Sequence, residues 1–474
     1  MDYYHDVSVG RTSNAQIKMK NIFEYKNILV VGLGKTGLSA MRWLHKQGVH
    51  VYMADSRTNP PGIDQLLETL PELKIYAGPF VEEIFLAADM IVVSPGVSLK
   101  EPVIQAALLK GIEVVGDVEL FARYRPQFSK VIAITGSNGK TTVTTLVGEI
   151  CKKAGLNTVV AGNIGLPVLD TLESQFPDVY VLELSSFQLE TTHNLKVDVA
   201  TVLNISEDHM DRYDSVEAYA KAKARIYQNA TMAVVNRDDP LSKGLTTAEQ
   251  ISFGLNQAPN YSDYGLEDIN GLWLSSGKRK LMPASDLKIA GRHNIANVLA
   301  AIALASSIGI DRNTIIRTIR QFTGLPHRVE WVANIQGVDY YDDSKGTNVG
   351  ATCAAIKGMS KNGKPQNVIL IAGGDGKGQD FTPLVEAVKE NARAVVLIGR
   401  DAPLIESVLL AADVPLYDAI GLQEAVVIAQ KLAKSGDAVL LSPACASFDM
   451  FRDYIQRAEV FVGAVKMLEA EAIC

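Results

Sequence analysis

At 474 residues and 47% hydrophobic side chains the chain can build sizeable cores, and on the usual ~150 residues per domain it should hold about three of them. A formal net charge of −7 argues against nucleic acid as a main partner, because a phosphate backbone calls for a basic face. Cys151, Cys353, Cys445 and Cys474 lie far apart without metal-type spacing, which suits a reducing cytoplasm better than a disulfide framework.

No early apolar segment resembles a signal peptide, and the longest apolar stretch, Val298 to Ile310, is too short for a bilayer and contains serines. A cytoplasmic protein with no membrane partner is therefore expected; a monomer is also expected, though no sequence feature fixes the oligomeric state. Residues 1–25 are polar and irregular and receive no function.

The first expected domain covers residues 26–117. Its opening strand, Asn27 to Val31, runs into GLGKTG, with Gly32, Gly34 and Gly37 in GxGxxG spacing. A helix should follow to Gly48, then a strand ending at Asp55. Glycines let a phosphate approach the backbone, and an acid about twenty residues on meets ribose hydroxyls. This unit suits a nicotinamide or another nucleotide, or is a Rossmann-like unit without a ligand. A further strand, Met90 to Val93, delivers Ser94 and Gly96 to the sheet's carboxyl edge.

The second expected domain, 118–323, carries the stretch with the most chemistry, VIAITGSNGKTT from Val131 to Thr142. An apolar β-branched run predicts a buried parallel strand. Gly136, Ser137, Asn138 and Gly139 then form a loop, and Lys140, Thr141 and Thr142 open a helix that stops near Gly155. Loop N–H groups and the helix start cradle phosphates, the lysine adds a charge, and a hydroxyl reaches Mg²⁺. Ile134 stands where the standard pattern has its first glycine, so the loop is a shorter variant.

Further along, Thr158 to Ala161 is a strand leading to Asn163 between glycines. Glu183 lies near the end of the strand Val179 to Leu184, where a carboxylate suits a hard cation or is merely solvated. A strand from Val199 to Ile205 runs into SEDHMDRY, which crowds Glu207, Asp208, His209 and Asp211 into one turn. The next helix carries Lys221, Lys223 and Arg225; on spacing alone these are solvated. Residues 251–285 suggest an antiparallel excursion. GRHN opens a helix from Ile295 to Ser307, where Asn294 either caps the helix or joins Asn297, three residues on, at a base or ribose.

The third expected domain, 324–474, contains PHR, with His327 and Arg328, then a hairpin from Val329 to Asp342. DDSKGTN holds Asp343, Lys345 and Thr347. Strands at Val368 to Ala372, Ala394 to Ile398 and Ala438 to Leu441 alternate with helices. GGDGKGQDF places Lys377 among glycines, and SPACASFDMF places Ser447 and Phe448 after the last strand.

TGSNGKTT, LELSSFQLE, DHMDRY, GRHN, PHR, DDSKGTN, GGDGK and SPACASFDMF, in this order, make the chain resemble the Mur ligase family from about Lys26 onward. The resemblance implies an α/β fold of three domains: an N-terminal Rossmann-like domain, a central P-loop-type ATPase with a parallel sheet, and a C-terminal Rossmann-like domain. It implies an ATP-dependent ligase of peptidoglycan precursor synthesis. The wording of DHMDRY and SPACASFDMF is most like the branch that joins D-glutamate to UDP-N-acetylmuramoyl-L-alanine. A sister ligase adding another amino acid, or a folylpolyglutamate synthase-like enzyme, is the alternative.

By the same resemblance Lys35, Thr36, Asp55, Ser56, Arg57, Ser94, Gly96, Asn163 and His209 are expected at the UDP substrate. The 136–142 loop with Asn294, Asn297, Arg328 and Asp343 is expected at ATP, and Lys345 near the reacting phosphate. Thr347, Lys377, Ser447, Phe448 and Tyr454 are expected at D-glutamate, with Tyr454 replacing the family's phenylalanine. Two Mg²⁺ sites would use Thr141, Glu183, His209 and a carbamylated Lys223. Lys140, Glu183, His209, Lys223 and Lys345 form the expected catalytic set.

Overall fold

The computed structural model of the chain describes residues 27–60, 63–173, 176–243, 245–246, 248–289, 291–359 and 367–473. The extension at 1–25 and Cys474 lie outside the described residues. Among the described residues the chain is an α/β protein of three domains, with three sheets that are mostly parallel.

The first sheet holds β1 (Asn27–Val31), β2 (His50–Asp55), β3 (Ile75–Ala77), β4 (Met90–Val93) and β5 (Glu113–Val115), in the order β3-β2-β1-β4-β5. All its pairings are parallel. Such strands are covered on both faces, which is why NILVV and MIVV are continuously apolar rather than alternating.

The second sheet holds β6 (Lys130–Thr135), β7 (Thr158–Gly162), β8 (Val179–Glu183), β9 (Val197–Val202), β10 (Ala230–Asn236), β11 (Glu249–Phe253), β12 (Tyr264–Asp268), β13 (Leu272–Ser276) and β14 (Arg279–Pro283). Their order is β14-β13-β12-β11-β10-β9-β6-β8-β7. The excursion expected as antiparallel is only partly so. β11 pairs parallel with β10, and β12 joins β11 in parallel through Phe253 and Tyr264. Antiparallel pairing begins with β12–β13 and β13–β14, where short turns reverse the chain.

The third sheet holds β15 (Glu330–Ile335), β16 (Val338–Asp342), β17 (Val368–Gly373), β18 (Ala392–Ile398), β19 (Leu416–Asp418) and β20 (Ala438–Leu441), in the order β15-β16-β20-β17-β18-β19. The expected hairpin is β15–β16, the sheet's antiparallel pair. Along β17, Val368, Leu370 and Ala372 enter one apolar core, and Ile369 and Ile371 enter the other. That alternation is the period-two geometry of a strand buried on both faces.

By packing, the chain forms two compact units. Among the described residues the first comprises those within 27–133, 156–199 and 225–231; the second comprises those within 134–155, 200–224 and 232–473. No helix among the described residues is long and apolar enough to cross a membrane.

Candidate active site

In the first unit the strand order reverses between β1 and β4: the connection from β1 leads to β2 on one side and that from β4 leads to β5 on the other. This is the switch point at which open parallel sheets hold ligands. A cavity of about 590 Å³ opens there. Lys35, Thr36, Asp55, Ser56, Arg57, Ser94, Gly96 and Asn163 all line it, which brings the expected UDP residues together except His209. His209 belongs to the second unit. The helix Lys35–Lys46 starts at the cavity and offers its N-terminus to an anion. Gly37 is required: a Cβ there would strike the Gly32 carbonyl, which already accepts the Ser94 hydroxyl at 2.9 Å.

Asp55 does not hold its carboxylate open for a ribose. Oδ1 accepts the Arg57 amide at 2.9 Å and Nε at 2.8 Å; Oδ2 accepts Arg57 Nη2 and the Leu33 amide, each at 2.7 Å. A carboxylate has about four acceptor positions, and these contacts fill them. Burial opposes ionisation, but Arg57 and the Leu33 amide hold the carboxyl below its usual range. Asp55 therefore braces the glycine loop and aims Arg57.

Also in the first unit, Glu183 ends β8 with 1% exposure. Its Oε1 accepts Asn163 Nδ2 at 2.8 Å, while buried Oε2 has no hydrogen-bond partner among the described residues. A buried, unpartnered carboxylate oxygen fits a hard cation and argues against a solvated strand-end acid.

In the second unit the glycine loop at 136–139 leads into the helix Lys140–Lys153. Gly139 caps it at φ +81°, and a Cβ there would strike Asn297 Oδ1. Lys140 Nζ folds back on the carbonyls of Gly136 at 2.7 Å and Ser137 at 2.8 Å. The loop is buttressed by residues expected to continue β9. That strand ends at Val202, because Asn204 turns aside to accept the Asn138 amide at 2.8 Å through Oδ1 and the Ser137 amide at 2.9 Å through its carbonyl. Asn204 is a site residue the sequence reading passed over.

The DHMDRY turn places His209 at φ +59°, a conformation uncommon outside glycine. Burial, opposed by Asp208 and aided by the Lys377 ammonium, pushes its imidazole below the usual value. A neutral ring is the ligating form. Asp208 Oδ1 accepts Lys377 Nζ at 2.7 Å. Burial opposes its ionisation as well, but Lys377 and His209 hold it below the usual carboxylate range.

Lys223 is 1% exposed, so it is not a solvated lysine. It follows Tyr219 by one turn on the helix Val216–Ala224, and its Nζ lies 4.5 Å from that ring's centroid and 3.5 Å from Thr135 Oγ1. His209 meets the same ring at 6.4 Å between centroids.

A second cavity, of about 250 Å³, is lined by Asn138, Gly139, Thr142, Asn294, Asn297, Arg328, Asp343 and Lys345. It gathers most of the expected ATP residues. Gly136, Ser137, Lys140 and Thr141 build the adjoining loop and helix start but are not among its lining residues. Asn294 does not cap its helix, which begins earlier, at Arg292 behind Gly291; its Oδ1 accepts Asn297 Nδ2 at 3.2 Å. Burial pushes the Asp343 carboxyl up to about 7 even though Ser442 Oγ donates to it at 2.7 Å.

The loops after β16, β17 and β20, neighbours in the third sheet, carry Thr347, Lys377 and Ser447. Gln379, also missed in the sequence, laces them: Oε1 accepts the Val349 amide at 2.9 Å, and Nε2 donates to the Ala444 carbonyl at 2.8 Å. Ser447 is buried, whereas Phe448 is 74% exposed. Tyr454 opens the final helix and lies against Lys345, whose Nζ is 3.9 Å from its ring centroid.

Three family models match the chain: Mur ligase MurD-like, N-terminal domain, over residues 26–116; Mur ligase middle domain over 134–305; and Mur ligase, glutamate ligase domain, over 327–445. A UDP-N-acetylmuramoylalanine--D-glutamate ligase of Methylobacillus flagellatus is 57% identical, covering 94% of this chain and 98% of its own. One of the same name from Thiobacillus denitrificans is 53% identical, covering 94% and 97%. Among solved structures, MurC of Thermotoga maritima superposes with a TM-score of 0.57 at 21% identity, covering 94% of this chain and 100% of that one. MurF of Acinetobacter baumannii reaches 0.59 at 18%, covering 81% and 92%. With all three domain models matched in order and more than half of the residues shared with a full-length relative, this chain belongs to the Mur ligase family.

Proposed function

We propose that the chain is an ATP-dependent ligase that joins D-glutamate to UDP-N-acetylmuramoyl-L-alanine in peptidoglycan precursor synthesis, giving ADP and phosphate. The observation that carries the reading is the presence of two separate nucleotide-type cavities, one at a sheet switch point and one behind a phosphate loop. A reaction between a UDP-linked carboxylate and ATP needs both, and the relatives' name supplies the amino acid. A nicotinamide oxidoreductase leaves the second cavity without a role. In this reading residues 26–117, 118–323 and 324–474 serve the UDP substrate, ATP and the amino acid respectively, in the cytoplasm.

A carboxylate is a poor electrophile. Transfer of the ATP γ-phosphoryl group to the L-alanine carboxylate oxygen breaks the β–γ phosphoanhydride bond, releases ADP and leaves an acyl phosphate. The neutral amine of D-glutamate then adds to the acyl carbon, and the tetrahedral adduct collapses to amide plus phosphate. Two anions must approach first. Lys140 and Lys345 supply positive charge to the phosphates, while the cavity residues hold the reactants in line. Mg²⁺, when bound, supplies further charge neutralisation. Two ions belong to this reading: Oε2 of Glu183 would hold the first, neutral His209 and a carbamate on Lys223 would hold the second, and Thr141 adds a hydroxyl, all being oxygen or imidazole donors.

Asp55→Ala should raise KM for the UDP substrate roughly tenfold and leave KM for ATP unchanged, because Arg57 loses the carboxylate that aims it. Tight NAD binding with no UDP-substrate binding would overturn the assignment of this cavity.

For the amino acid, a dicarboxylate needs a cation at its side chain, and Lys377 is that cation in this reading. A hydrogen bond to a charged group contributes about 1.5–3 kcal/mol, so Lys377→Ala should weaken D-glutamate use by roughly 10- to 150-fold and ATP use far less. An amino-acid panel with UDP-N-acetylmuramoyl-L-alanine and ATP checks the substrate. Better turnover with D-alanine or L-lysine than with D-glutamate would make the chain a sister ligase.

A further inference from the structure

Arg457, in the first turn of the helix Tyr454–Ile473, is 1% exposed and heads the largest fully buried side chains. Buried guanidinium groups usually face a carboxylate. The hydrogen bonds of this one go to neutral oxygens: Nε to Ser344 Oγ at 3.0 Å, Nη2 to Ser344 O at 2.8 Å, and Nη1 to Cys445 O at 3.1 Å and Ala446 O at 3.4 Å. Burial brings the guanidinium down to about 10, still charged at neutral pH.

The partners lie next to residues read above as amino-acid and phosphate contacts. Ser344 immediately precedes Lys345, and its hydroxyl also donates to the Tyr454 carbonyl at 2.8 Å. Ala446 immediately precedes Ser447. Ala446 exchanges backbone hydrogen bonds with Asp375, at 3.0 and 2.8 Å, two residues before Lys377. Lys377 at φ +54° and Ala444 at φ +60° are both held in the left-handed region, which persists only where surroundings over-determine it. One planar fork therefore meets the loops after β16 and β20 directly and the loop after β17 through Ala446.

We propose that Arg457 is a positioning residue for the amino-acid half of the reaction, holding these loops in the one register that sets Lys345, Thr347, Lys377 and Ser447 around the incoming amino acid. The proposal rests on reading Thr347, Lys377, Ser447 and Tyr454 as the amino-acid contacts. Only a fork can satisfy this set of acceptors: lysine keeps the charge and the apolar stem but offers a single nitrogen.

The test measures kcat and KM for D-glutamate and for the UDP substrate in the unmutated enzyme, Arg457→Lys and Ser344→Ala, with melting curves on each. Wild-type turnover comes first. Indifference to D-glutamate there sinks the amino-acid assignment, and the variants are then read with whichever amino acid the enzyme uses. Arg457→Lys should raise KM for that amino acid roughly tenfold or more while KM for the UDP substrate stays within about twofold. Ser344→Ala, which leaves the arginine in place, should shift the same KM in the same direction by a smaller factor. A purely structural role lowers the active fraction, which cuts kcat and leaves each KM where it was. That pattern, or an unchanged amino-acid KM in both variants, overturns the proposal. Should Arg457→Lys fail to fold, Ser344→Ala decides alone by the same criterion.

Discussion

Lys140→Ala should lower turnover by roughly 10³-fold or more, with the far-ultraviolet circular dichroism and the melting curve close to those of the unmutated protein. The physical ground is the loop itself. Lys140 stands at the start of a helix whose amides and dipole already favour anions, and its ammonium is held against the Gly136 and Ser137 carbonyls. It is a point charge stationed where the phosphates of ATP would lie. Removing it leaves two loop carbonyls without one donor, a small structural loss, but leaves the carboxylate and the triphosphate to meet without that neutralisation. Acyl phosphate can be trapped by borohydride reduction before any amino acid is added. Its yield should fall with turnover, which separates this step from amine attack. Near-normal acyl-phosphate formation in Lys140→Ala would sink the assignment of the loop to ATP.

Lys223→Ala should lose activity by a comparable factor, roughly 10²–10³-fold, and a small carboxylate such as acetate should restore part of it. A buried ammonium beside Mg²⁺ would repel the ion. Carbon dioxide adds to a neutral amine to give an anionic carbamate with two oxygens, the donors a hard cation takes. Burial disfavours the ammonium form, and Lys223 is 1% exposed beside the Tyr219 ring and Thr135. Lys223→Arg should not rescue, since it retains positive charge and forms no carbamate. A readout independent of activity is the carbamate carbon resonance after exchange with ¹³C-bicarbonate, present in the unmutated protein and absent in Lys223→Ala. Full activity of Lys223→Ala without added carboxylate would remove this residue from the mechanism.

Much of this molecule was legible before any coordinates, because the relevant physics is local. Continuous apolar β-branched runs marked the parallel strands, since a strand covered on both faces has no polar side to show. GLGKTG and GSNGKTT marked the loops, because only glycine permits the close approach at Gly37 and the φ of +81° at Gly139. What lies opposite a loop is not encoded beside it. Asn204, predicted to continue a strand, leaves it to support the Ser137 and Asn138 amides 66 or more residues earlier in the chain.

Asp55 looked like an open acceptor, and the fold filled it. By spacing alone Lys223 looked like one of several helix lysines; the family resemblance singled it out, and packing buries it while Lys221 stays exposed. Arg457 carried no sequence signal, because an arginine on a terminal helix is ordinarily solvated; its partner Ser344 is 113 residues away. Lys377 and Asp208 meet across 169 residues. Composition and spacing determined which elements form and where the glycine loops lie. Tertiary structure alone decided which charges are buried and what each one faces, because burial and Coulomb interaction depend on distance in space and not along the chain.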